Sequence, residues 1–197
     1  MTSATEVLWS AGTWLNPPVS TRDDGRDLVV GCTQGSDFWR TTSYGFVHDD
    51  GHALLAPFAV GTAVEVSFVA DFDRQFDQAG VLVRGDPATW VKAGTEFCDG
   101  VLQAGAVVTH GMSDWSVALV PQWSGTEVTV RVSRGPDSLT VRARSDEEPF
   151  RLLRLSPWPA NVASSAGPMC CAPTRDGMEV RFTRWAVGPA DGELHPG

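Results

Sequence analysis

The sequence contains no isoleucine, one lysine and one tyrosine, and basic residues are few. Fourteen of the fifteen Lys and Arg residues are arginine, a bias typical of a GC-rich coding genome rather than of a particular chemistry. Because 24 acidic residues outnumber them, the formal net charge is −9 and the isoelectric point is about 4.8. This charge repels phosphate backbones and anionic lipid headgroups, so we expect neither a nucleic-acid nor a membrane partner.

Targeting and membrane-spanning features are also missing from the sequence. No apolar segment approaches the length of about 18 residues that a transmembrane helix needs. The N-terminal residues MTSATEVLWSAGTW lack the basic region and the apolar region of a secretory signal peptide. We therefore expect a cytoplasmic protein, unless a longer precursor has lost a leader.

Cysteine is scarce, with four residues at positions 32, 98, 170 and 171. Four cysteines in 197 residues do not make a disulfide scaffold, and the adjacent Cys170 and Cys171 could bond to each other only with strain. No CxxC spacing indicates a zinc site, and no cofactor is predicted. The sequence leaves the role of the Cys170–Cys171 pair open.

Helical periodicity is absent as well. No window of ten or more residues has apolar residues at i, i+3, i+4 and i+7, and 20 glycines and 13 prolines interrupt the chain. Short segments rich in valine and phenylalanine instead alternate apolar and polar residues, which is typical of strands. The predicted strands are residues 52–60, 64–72, 80–84, 116–120, 127–134, 138–144, 150–155 and 178–187.

Turn signals such as DDGR, RGDP and RGPD separate these strands at a spacing of roughly 8–12 residues. The pattern predicts an all-β fold of two packed antiparallel sheets with little helix. No internal repeat or linker divides the chain. We therefore expect a single β-sandwich domain over residues 1–197, with a core from about residue 7 to 188 and loose ends at 1–6 and 190–197.

A polar face that carries a tryptophan is predicted on two neighbouring strands. In DQAGVLVR (77–84) the odd-numbered small and apolar residues face one way and Gln78 faces the other. If the turn at GDPATW contains no bulge, Trp90, Lys92 and Glu96 of the next strand share the face of Gln78. An aromatic plane beside an amide, an ammonium and a carboxylate is suited to a sugar ring and its hydroxyls. A structural ion pair of Lys92 with Glu96 or a neighbour, packed under Trp90, is the alternative.

Two further segments share a Ser-Asp-aromatic pattern, in GSDFWRTTSYGF and GMSDWSV. Ser and Asp open turns through bonds to the backbone, and the tryptophan that follows can anchor a loop in the core. A binding-site rim is the alternative. The candidate rim residues are Asp37, Trp39, Arg40, Tyr44, Asp114 and Trp115.

The segment HDDGH offers two imidazoles and two carboxylates, at His48, Asp49, Asp50 and His52. These groups are plausible metal ligands. Asp50-Gly51 between two strands is, however, a hairpin signal, and a two-residue turn would direct the flanking side chains away from a single ion. We therefore predict a hairpin here and no metal site.

Arginines are concentrated on the strands between residues 127 and 155. We predict that they pair across strands with neighbouring acids on a solvated sheet face. An anion site is the alternative. The arginines concerned are Arg131, Arg142, Arg144, Arg151 and Arg154.

Catalytic motifs are not found: the sequence has no GxSxG, no HExxH and no phosphate-binding loop. Glu96 and Asp99 are three positions apart, an odd spacing that on a strand places them on opposite faces, so they would not flank one glycosidic bond. Glu65 or Asp114 is left open as a partner for Glu96 across strands. No catalytic residue is predicted, and a binding protein is favoured over an enzyme.

Five segments in order resemble one protein family: DFWRTTSYGF (37–46), DQAGVLVR (77–84), WVKAGTEFCDG (90–100), VVTHGMSDWSV (107–117) and MEVRFTRWAVG (178–188). They are similar to the DUF1349 family over residues 9–188. The resemblance implies a concanavalin A-like jelly-roll sandwich of two curved antiparallel sheets, with a concave outer face that related lectins and glucanases use for carbohydrate. The family includes proteins named as regulators of enolase and implies no catalytic residue. Its motif positions here are Asp37, Trp39, Tyr44, Asp77, Gln78, Trp90, Lys92, Glu96, Asp99, Ser113, Asp114 and Trp115.

Three functional hypotheses follow. In the leading one the protein is a non-catalytic module for a carbohydrate or a sugar derivative, in which Trp90 stacks on the ring and Gln78, Lys92, Glu96 and Arg40 bond its hydroxyls. In the second the same face docks a metabolic enzyme, because tryptophan and arginine are favoured at protein interfaces. In the third a glycoside hydrolase or lyase acts through Glu96, which requires a second carboxylate within about 5–10 Å.

Overall fold

The computed structural model describes residues 4–195, in which the regular secondary structure is almost entirely β-strand. Within this range, two single-turn 3-10 helices lie at Trp9–Ala11 and Pro121–Trp123. No helix among these residues is long and apolar enough to cross a membrane. The strands are β1 (Thr5–Glu6), β2 (Thr13–Leu15), β3 (Ser20–Asp23), β4 (Leu28–Gly31), β5 (Phe38–Arg40), β6 (Val47–Asp49), β7 (His52–Pro57), β8 (Thr62–Val69), β9 (Gln78–Asp86), β10 (Thr89–Cys98), β11 (Val101–His110), β12 (Met112–Leu119), β13 (Glu127–Arg134), β14 (Ser138–Ser145), β15 (Arg151–Pro157), β16 (Ser165–Cys171) and β17 (Glu179–Pro189).

Two large antiparallel sheets form the sandwich. Sheet A has the strand order β15-β14-β13-β8-β17-β4-β3, with β1 added beside β17. Sheet B has the order β12-β11-β10-β9-β16-β7-β2. The predicted all-β architecture of two antiparallel sheets is therefore confirmed. The list of predicted strands lacked residues 101–110 and 165–171, where Gly, Ala, Pro and Cys weaken the strand signal.

The main core lies between the two sheets and is built by strict alternation. On β9 the residues Val81 and Val83 point inward, and on β13 of the facing sheet Val128, Val130 and Val132 do the same. All five are fully buried. Because each buried aliphatic side chain stabilises the fold by about 1.5–3 kcal/mol, this pattern fixes which face of each strand is turned outward.

The β9–β10 hairpin keeps even-numbered residues together, although not in the way the sequence analysis assumed. Asp86 pairs with Thr89 across a two-residue loop, a register that by itself would pair even-numbered with odd-numbered residues. A bulge skips Gly85, after which Arg84 pairs with Trp90, and in every later pair even-numbered residues face even-numbered ones and odd-numbered residues face odd-numbered ones. The assumption of an unbulged turn is wrong, and the bulge is what places the predicted residues on one outer face.

A small hairpin of β5 and β6 lies over the outer face of sheet B. Phe38 of β5 packs against Trp90, with ring centroids 5.9 Å apart, inside a second hydrophobic cluster. Arg84 of the sheet donates two hydrogen bonds to the carboxylate of Asp49, at 2.6 and 2.8 Å. The backbone N–H of Arg40 donates to the hydroxyl of Ser113 on β12 at 2.9 Å. The hairpin is thus fixed to the sheet along both of its strands.

The predicted hairpin turn at Asp50-Gly51 is wrong. β6 pairs with β5, whereas β7 pairs with β2 and β16 of sheet B, so the chain passes here from the small hairpin into the large sheet. A glycine is needed for packing, because a Cβ on Gly51 would lie 2.4 Å from the ring of Phe38. The dipeptide therefore reflects close approach of the hairpin and not a tight turn.

The segments outside the predicted core make specific contacts where they are described. Thr5 and Glu6 pair with Val187 and Ala186 of β17. Asp191 accepts hydrogen bonds from Arg131 and Arg142 of sheet A, at 2.9 and 3.1 Å. These two segments are bonded to sheet A and do not form loose ends. The same expectation for residues 1–3 and 196–197 lies outside the described residues.

Candidate functional site

A cavity of about 340 Å³ lies between the β5–β6 hairpin and the outer face of sheet B. Its volume falls in the range of small-molecule binding sites in proteins, about 300–1,000 Å³. Most of its surface is aromatic or aliphatic, and a few polar groups converge at one side. The lining residues are Gly35, Asp37, Trp39, Tyr44, Phe46, His48, Phe76, Gln78, Lys92, Glu96, Val107, Trp115, Pro173 and Thr174.

Aromatic rings form one wall of the cavity. Trp39 meets Trp115 of β12 nearly at right angles, with centroids 6.5 Å apart, and meets Tyr44 edge-on at 5.5 Å. Tyr44 is stacked with Phe46 at 5.4 Å, and the Phe46 ring in turn contacts His48 edge-on at 4.9 Å. Tyr44 and Phe46 are 55% and 43% exposed, so both rings are partly free for a ligand.

A buried ion pair joins the hairpin to the sheet at the polar side of the cavity. The ammonium of Lys92 donates to a carboxylate oxygen of Asp37 at 2.6 Å, and the amide of Gln78 donates to the same oxygen at 3.4 Å. Burial lowers the pKa of Lys92, but Asp37, helped by Cys171 and Glu96, outweighs it, so that the pKa lies above its usual value. Lys92 is therefore charged and forms its ion pair with Asp37.

Glu96 lies on the same face of β10, opposite Gln78 on β9 and Gln103 on β11. Burial, together with the negative charges of Asp37 and Asp99, raises the pKa of its carboxyl to about 7 against the opposing effect of Lys92. No hydrogen bond to Glu96 is formed by the residues that the structure describes. A carboxyl that faces a cavity, has a raised pKa and forms no hydrogen bond with the surrounding protein is typical of a functional position.

Three glycines clear the sheet surface between Lys92 and Glu96. Gly80, Gly94 and Gly105 are neighbours on β9, β10 and β11. A Cβ on any of them would lie 2.0 Å from a carbonyl oxygen of an adjacent strand, so no other residue fits. Because these positions carry no side chain, the stretch of sheet surface between Lys92 and Glu96 consists of backbone alone.

Several predicted site residues lie at the cavity. Gln78, Lys92, Glu96, Asp37, Trp39, Tyr44 and Trp115 line it. They come from the sheet and from the hairpin above it, which explains why they are distant in the sequence. Their part in ligand binding stays a prediction.

Three other predicted site residues, Trp90, Arg40 and Asp114, do not line the cavity. Trp90 is fully buried beneath Phe38, so the predicted stacking of its ring on a sugar is wrong. The guanidinium of Arg40 donates to the backbone carbonyls of Gly111 and Pro87 and does not line the cavity. Asp114 lies opposite Val108, whose side chain faces the main core, and binds Arg154 of sheet A at 2.6 Å.

The acids weighed as catalytic partners of Glu96 lie away from it. Glu65 is on sheet A, bound to Arg131 and Arg184, and Asp114 is bound to Arg154. The carboxylate that shares the cavity with Glu96 is that of Asp37, which the sequence analysis treated only as a rim residue.

The four ionisable residues of HDDGH are dispersed. His48 lies at the cavity with its Nδ1 3.2 Å from Asp50, whereas Asp49 binds Arg84. The ring of His52 is buried, between the carbonyl of Asn16 and the N–H of Thr33. Within residues 4–195, no group of three or more His, Cys, Asp or Glu side chains is arranged to hold a metal ion.

Comparison with known proteins agrees with this architecture. The model of the family "Protein of unknown function (DUF1349)" matches residues 14–190. The chain belongs to the DUF1349 family. "Regulation of enolase protein 1" of Saccharomyces cerevisiae is 36% identical over 187 residues, which are 94% of each protein. A crystal structure titled as a functionally unknown protein from Saccharomyces cerevisiae matches this DUF1349 chain with a TM-score of 0.88 and 34% identity, over 94% of this chain and 100% of the other.

More distant structures share the fold of this DUF1349 protein. A mutant of the GH43 protein BlXynB from Bacillus licheniformis matches with a TM-score of 0.71 and 10% identity, over 95% of this chain and 38% of that one. Lectin I-B4 from Griffonia simplicifolia matches with a TM-score of 0.53 and 12% identity, over 89% and 98% of the two chains. At such identities the likeness shows the fold alone. The concanavalin A-like sandwich expected from the resemblance is confirmed.

Other cavity residues of this DUF1349 protein were missed by the sequence analysis. Phe46, Phe76 and Pro173 line the cavity, and Gly94 and Gly105 line a small space next to it. Phe46 sits in the segment YGF, next to the predicted Tyr44, so an extended aromatic cluster was a usable signal. The glycines become recognisable as a row only once the register of three strands is known.

Proposed function

We propose that this DUF1349 protein is a non-catalytic binding module for a carbohydrate or a sugar derivative, which occupies the cavity under the β5–β6 hairpin. The observation that carries the proposal is an open cavity of about 340 Å³ with aromatic walls and a polar side formed by Gln78, Lys92 and Glu96. The rings offer faces to the C–H groups of a sugar, and the polar groups offer bonds to its hydroxyls.

In this proposal Trp115, Tyr44 and Phe46, and not Trp90, stack on the sugar ring. Trp115 belongs to the sheet, and Tyr44 and Phe46 belong to the hairpin, so a flat ligand between them contacts both parts of the molecule. Stacking with a few hydrogen bonds gives modest affinity, roughly micromolar to millimolar for a short saccharide.

Calorimetric titration with a panel of mono- and disaccharides tests the proposal. We expect at least one sugar to bind, and both Phe46→Ala and Trp115→Ala to weaken it about tenfold or more, because each removes a wall of the cavity. Phe150→Ala and Trp9→Ala are the matched controls, since Phe150 packs on Arg144 and Trp9 on Trp185, away from the cavity. A panel without any binder, or equal losses in the control variants, would contradict the proposal.

A second candidate is a docking domain for a metabolic enzyme. A specific observation favours it: Tyr44, Phe46 and Val47 form an exposed apolar patch on the hairpin, with Val47 50% exposed. The name of the yeast relative points to a protein partner for that relative. Val47 does not line the cavity. Val47→Asp should therefore abolish co-elution with purified enolase on a sizing column if the patch docks it, and should leave sugar binding unchanged.

We also propose a cytoplasmic location. All four cysteines are free and buried, as suits a reducing compartment. Cell fractionation with an antibody against the protein tests this, and recovery from the culture medium would contradict it.

A further inference from the structure

The charges that line the cavity do not cancel. Lys92 and Asp37 are joined at 2.6 Å and together are neutral. Glu96 remains, without a basic partner of its own among residues 4–195. A ligand that fills the cavity therefore meets one carboxyl group that no basic side chain of the described residues pairs with directly.

The walls of the cavity attract positive charge as well. The faces of aromatic rings carry negative partial charge, and a cation within about 6 Å of a ring centroid is attracted, most strongly where water is excluded. Trp39 and Trp115 stand almost perpendicular to each other, at 86°, and Tyr44 joins Trp39 from another side. Rings set at large angles around one space resemble the aromatic cages that hold quaternary ammonium groups.

The polar side of the cavity lets such a group approach Glu96, because the row of Gly80, Gly94 and Gly105 carries no side chains. A further space of about 30 Å³, room for about one water molecule, adjoins Gly94 and Gly105 between Lys92 and Glu96. Lys92 is held away from Glu96 by its bond to Asp37. A ligand cation beside Glu96 therefore replaces the partner that Lys92 does not supply.

We propose that the cavity binds an organic ammonium group, held between its aromatic faces and the carboxylate of Glu96, and that the sugar derivative it takes bears an amine. The sugar part rests on the proposed function, whereas the ammonium site rests only on the residues named here.

Charged and titratable groups face Glu96 from every side. Lys92 lies on its own strand, Asp37 on the hairpin segment, and Asp99 in the turn after β10; Cys98 is the neighbouring thiol. The strands on either side contribute the uncharged Gln78 and Gln103. The Lys92 cation opposes the rise in the pKa of Glu96 but is bound to Asp37, so a second cation beside Glu96 favours the ionised carboxylate further.

The test compares a cation with its neutral isostere. Choline and dimethylbutanol, in which carbon replaces the nitrogen, are titrated by calorimetry, and glucosamine is compared with glucose and N-acetylglucosamine in the same way. We expect each amine to bind about tenfold or more tightly than its neutral counterpart. Glu96→Gln should remove that preference, and Glu147→Gln, at an exposed turn position, should keep it.

The outcomes separate the two proposals. If glucose binds as tightly as glucosamine, and dimethylbutanol as tightly as choline, the ammonium site is overturned and sugar binding stands. If choline binds and no sugar does, the ammonium site stands and the sugar proposal fails. If no compound binds, both are overturned. A retained preference in Glu96→Gln would also overturn the role of Glu96.

Choline, whose charge does not depend on pH, should bind more tightly as the pH rises from about 6 to about 8, because the carboxyl of Glu96, with its pKa of about 7, ionises over this range. His48 also lines the cavity, so the titration is repeated with His48→Gln. The preference for choline should keep its pH dependence in His48→Gln and lose it in Glu96→Gln. The reverse result would assign the cation to a site that His48 controls, which contradicts the proposal.

Discussion

The outer faces of the two sheets use charge in different ways. On sheet A, Glu65 accepts a hydrogen bond from Arg131 at 2.7 Å and another from Arg184, and Asp191 binds Arg131 and Arg142. Every charged group in that cluster has a partner. On sheet B, Lys92 and Asp37 pair under the hairpin, while Glu96 has none among the described residues.

The difference separates a stabilised surface from a candidate site. The sequence analysis predicted cross-strand pairs for the arginines of sheet A, and Arg131 forms one with Glu65, whereas the partner of Arg142 is Asp191, which lies beyond the last strand. A cluster of paired charges has no capacity left for a ligand. On sheet B the chain keeps a carboxyl in a partly buried place without satisfying it, which costs stability. Such a cost is expected where a ligand completes the interaction.

The largest effect is expected when the buried pair on sheet B is broken. Lys92→Met should lower the free energy of unfolding by about 3–5 kcal/mol, because it leaves the Asp37 carboxylate buried without a counter-charge. Urea denaturation at pH 7 measures this. The double variant Asp37→Asn with Lys92→Met is the control and should recover much of the loss, since no charge is then unpaired. A loss under 1 kcal/mol in the single variant would show that the pair behaves like an exposed one.

A smaller effect of opposite sign is expected at Glu96. Its pKa in the folded protein, about 7, is above that of the unfolded chain, so the folded state holds its proton more firmly. The stability that the protonated Glu96 carboxyl contributes to the fold is present at pH 4 and is lost as the pH rises through its folded-state pKa of about 7. Glu96→Gln, which resembles the protonated form, should therefore be more stable than the natural protein by up to about 3 kcal/mol at pH 8 and nearly equal to it at pH 4.

Thermal unfolding of both proteins between pH 4 and pH 8 checks this difference. Glu147→Gln, at an exposed position, should follow the natural protein at every pH. If Glu96→Gln and the natural protein show the same pH profile, Glu96 is solvated like an ordinary surface carboxyl, and the contrast between the two sheets fails.

The architecture was largely predictable because alternation leaves little freedom. The strict pattern of Val128, Val130 and Val132 predicts one buried face, and β13 shows it. The shared face of Gln78, Lys92 and Glu96 was predicted by the same rule. The bulge at Gly85 was not, because a local change in register is set by backbone packing and leaves no periodic signal.

The site was less predictable because a long-range contact decides it. Alternation indicates that Trp90 leaves the main core, but it does not reveal that Phe38, more than fifty residues earlier, covers the ring. The same covering hairpin carries Asp37, Tyr44 and Phe46 to the cavity. Sequence patterns report neighbours along a strand, whereas this site lies between a sheet and a hairpin that packs on it.

The smallest effect on stability is expected at Glu65 on sheet A, and its dependence on pH should be opposite to that of Glu96. Burial works to raise the pKa of Glu65, but the hydrogen bonds from Arg184 and Arg131 outweigh it, so its pKa lies below the usual value. Because the pKa of Glu65 is lower in the folded protein than in the unfolded chain, its ionised carboxylate stabilises the fold at any pH above the unfolded-state pKa. This stabilisation is lost as the pH falls through the folded-state pKa. Glu65→Gln should thus be less stable than the natural protein at pH 7, by about 1–2 kcal/mol.

Below about pH 4 the difference between Glu65→Gln and the natural protein should shrink, because protonation removes the same charge. Glu148→Gln, which breaks the exposed pair with Arg151, should cost less than about 1 kcal/mol at pH 7 and serves as the control. Urea denaturation at both pH values measures all three proteins. If the stability differences of the Glu65→Gln and Glu96→Gln variants change with pH in opposite directions, sheet A stabilises its ionised carboxylate and sheet B does not. If both differences change with pH in the same direction, the reason for assigning a ligand to sheet B is removed.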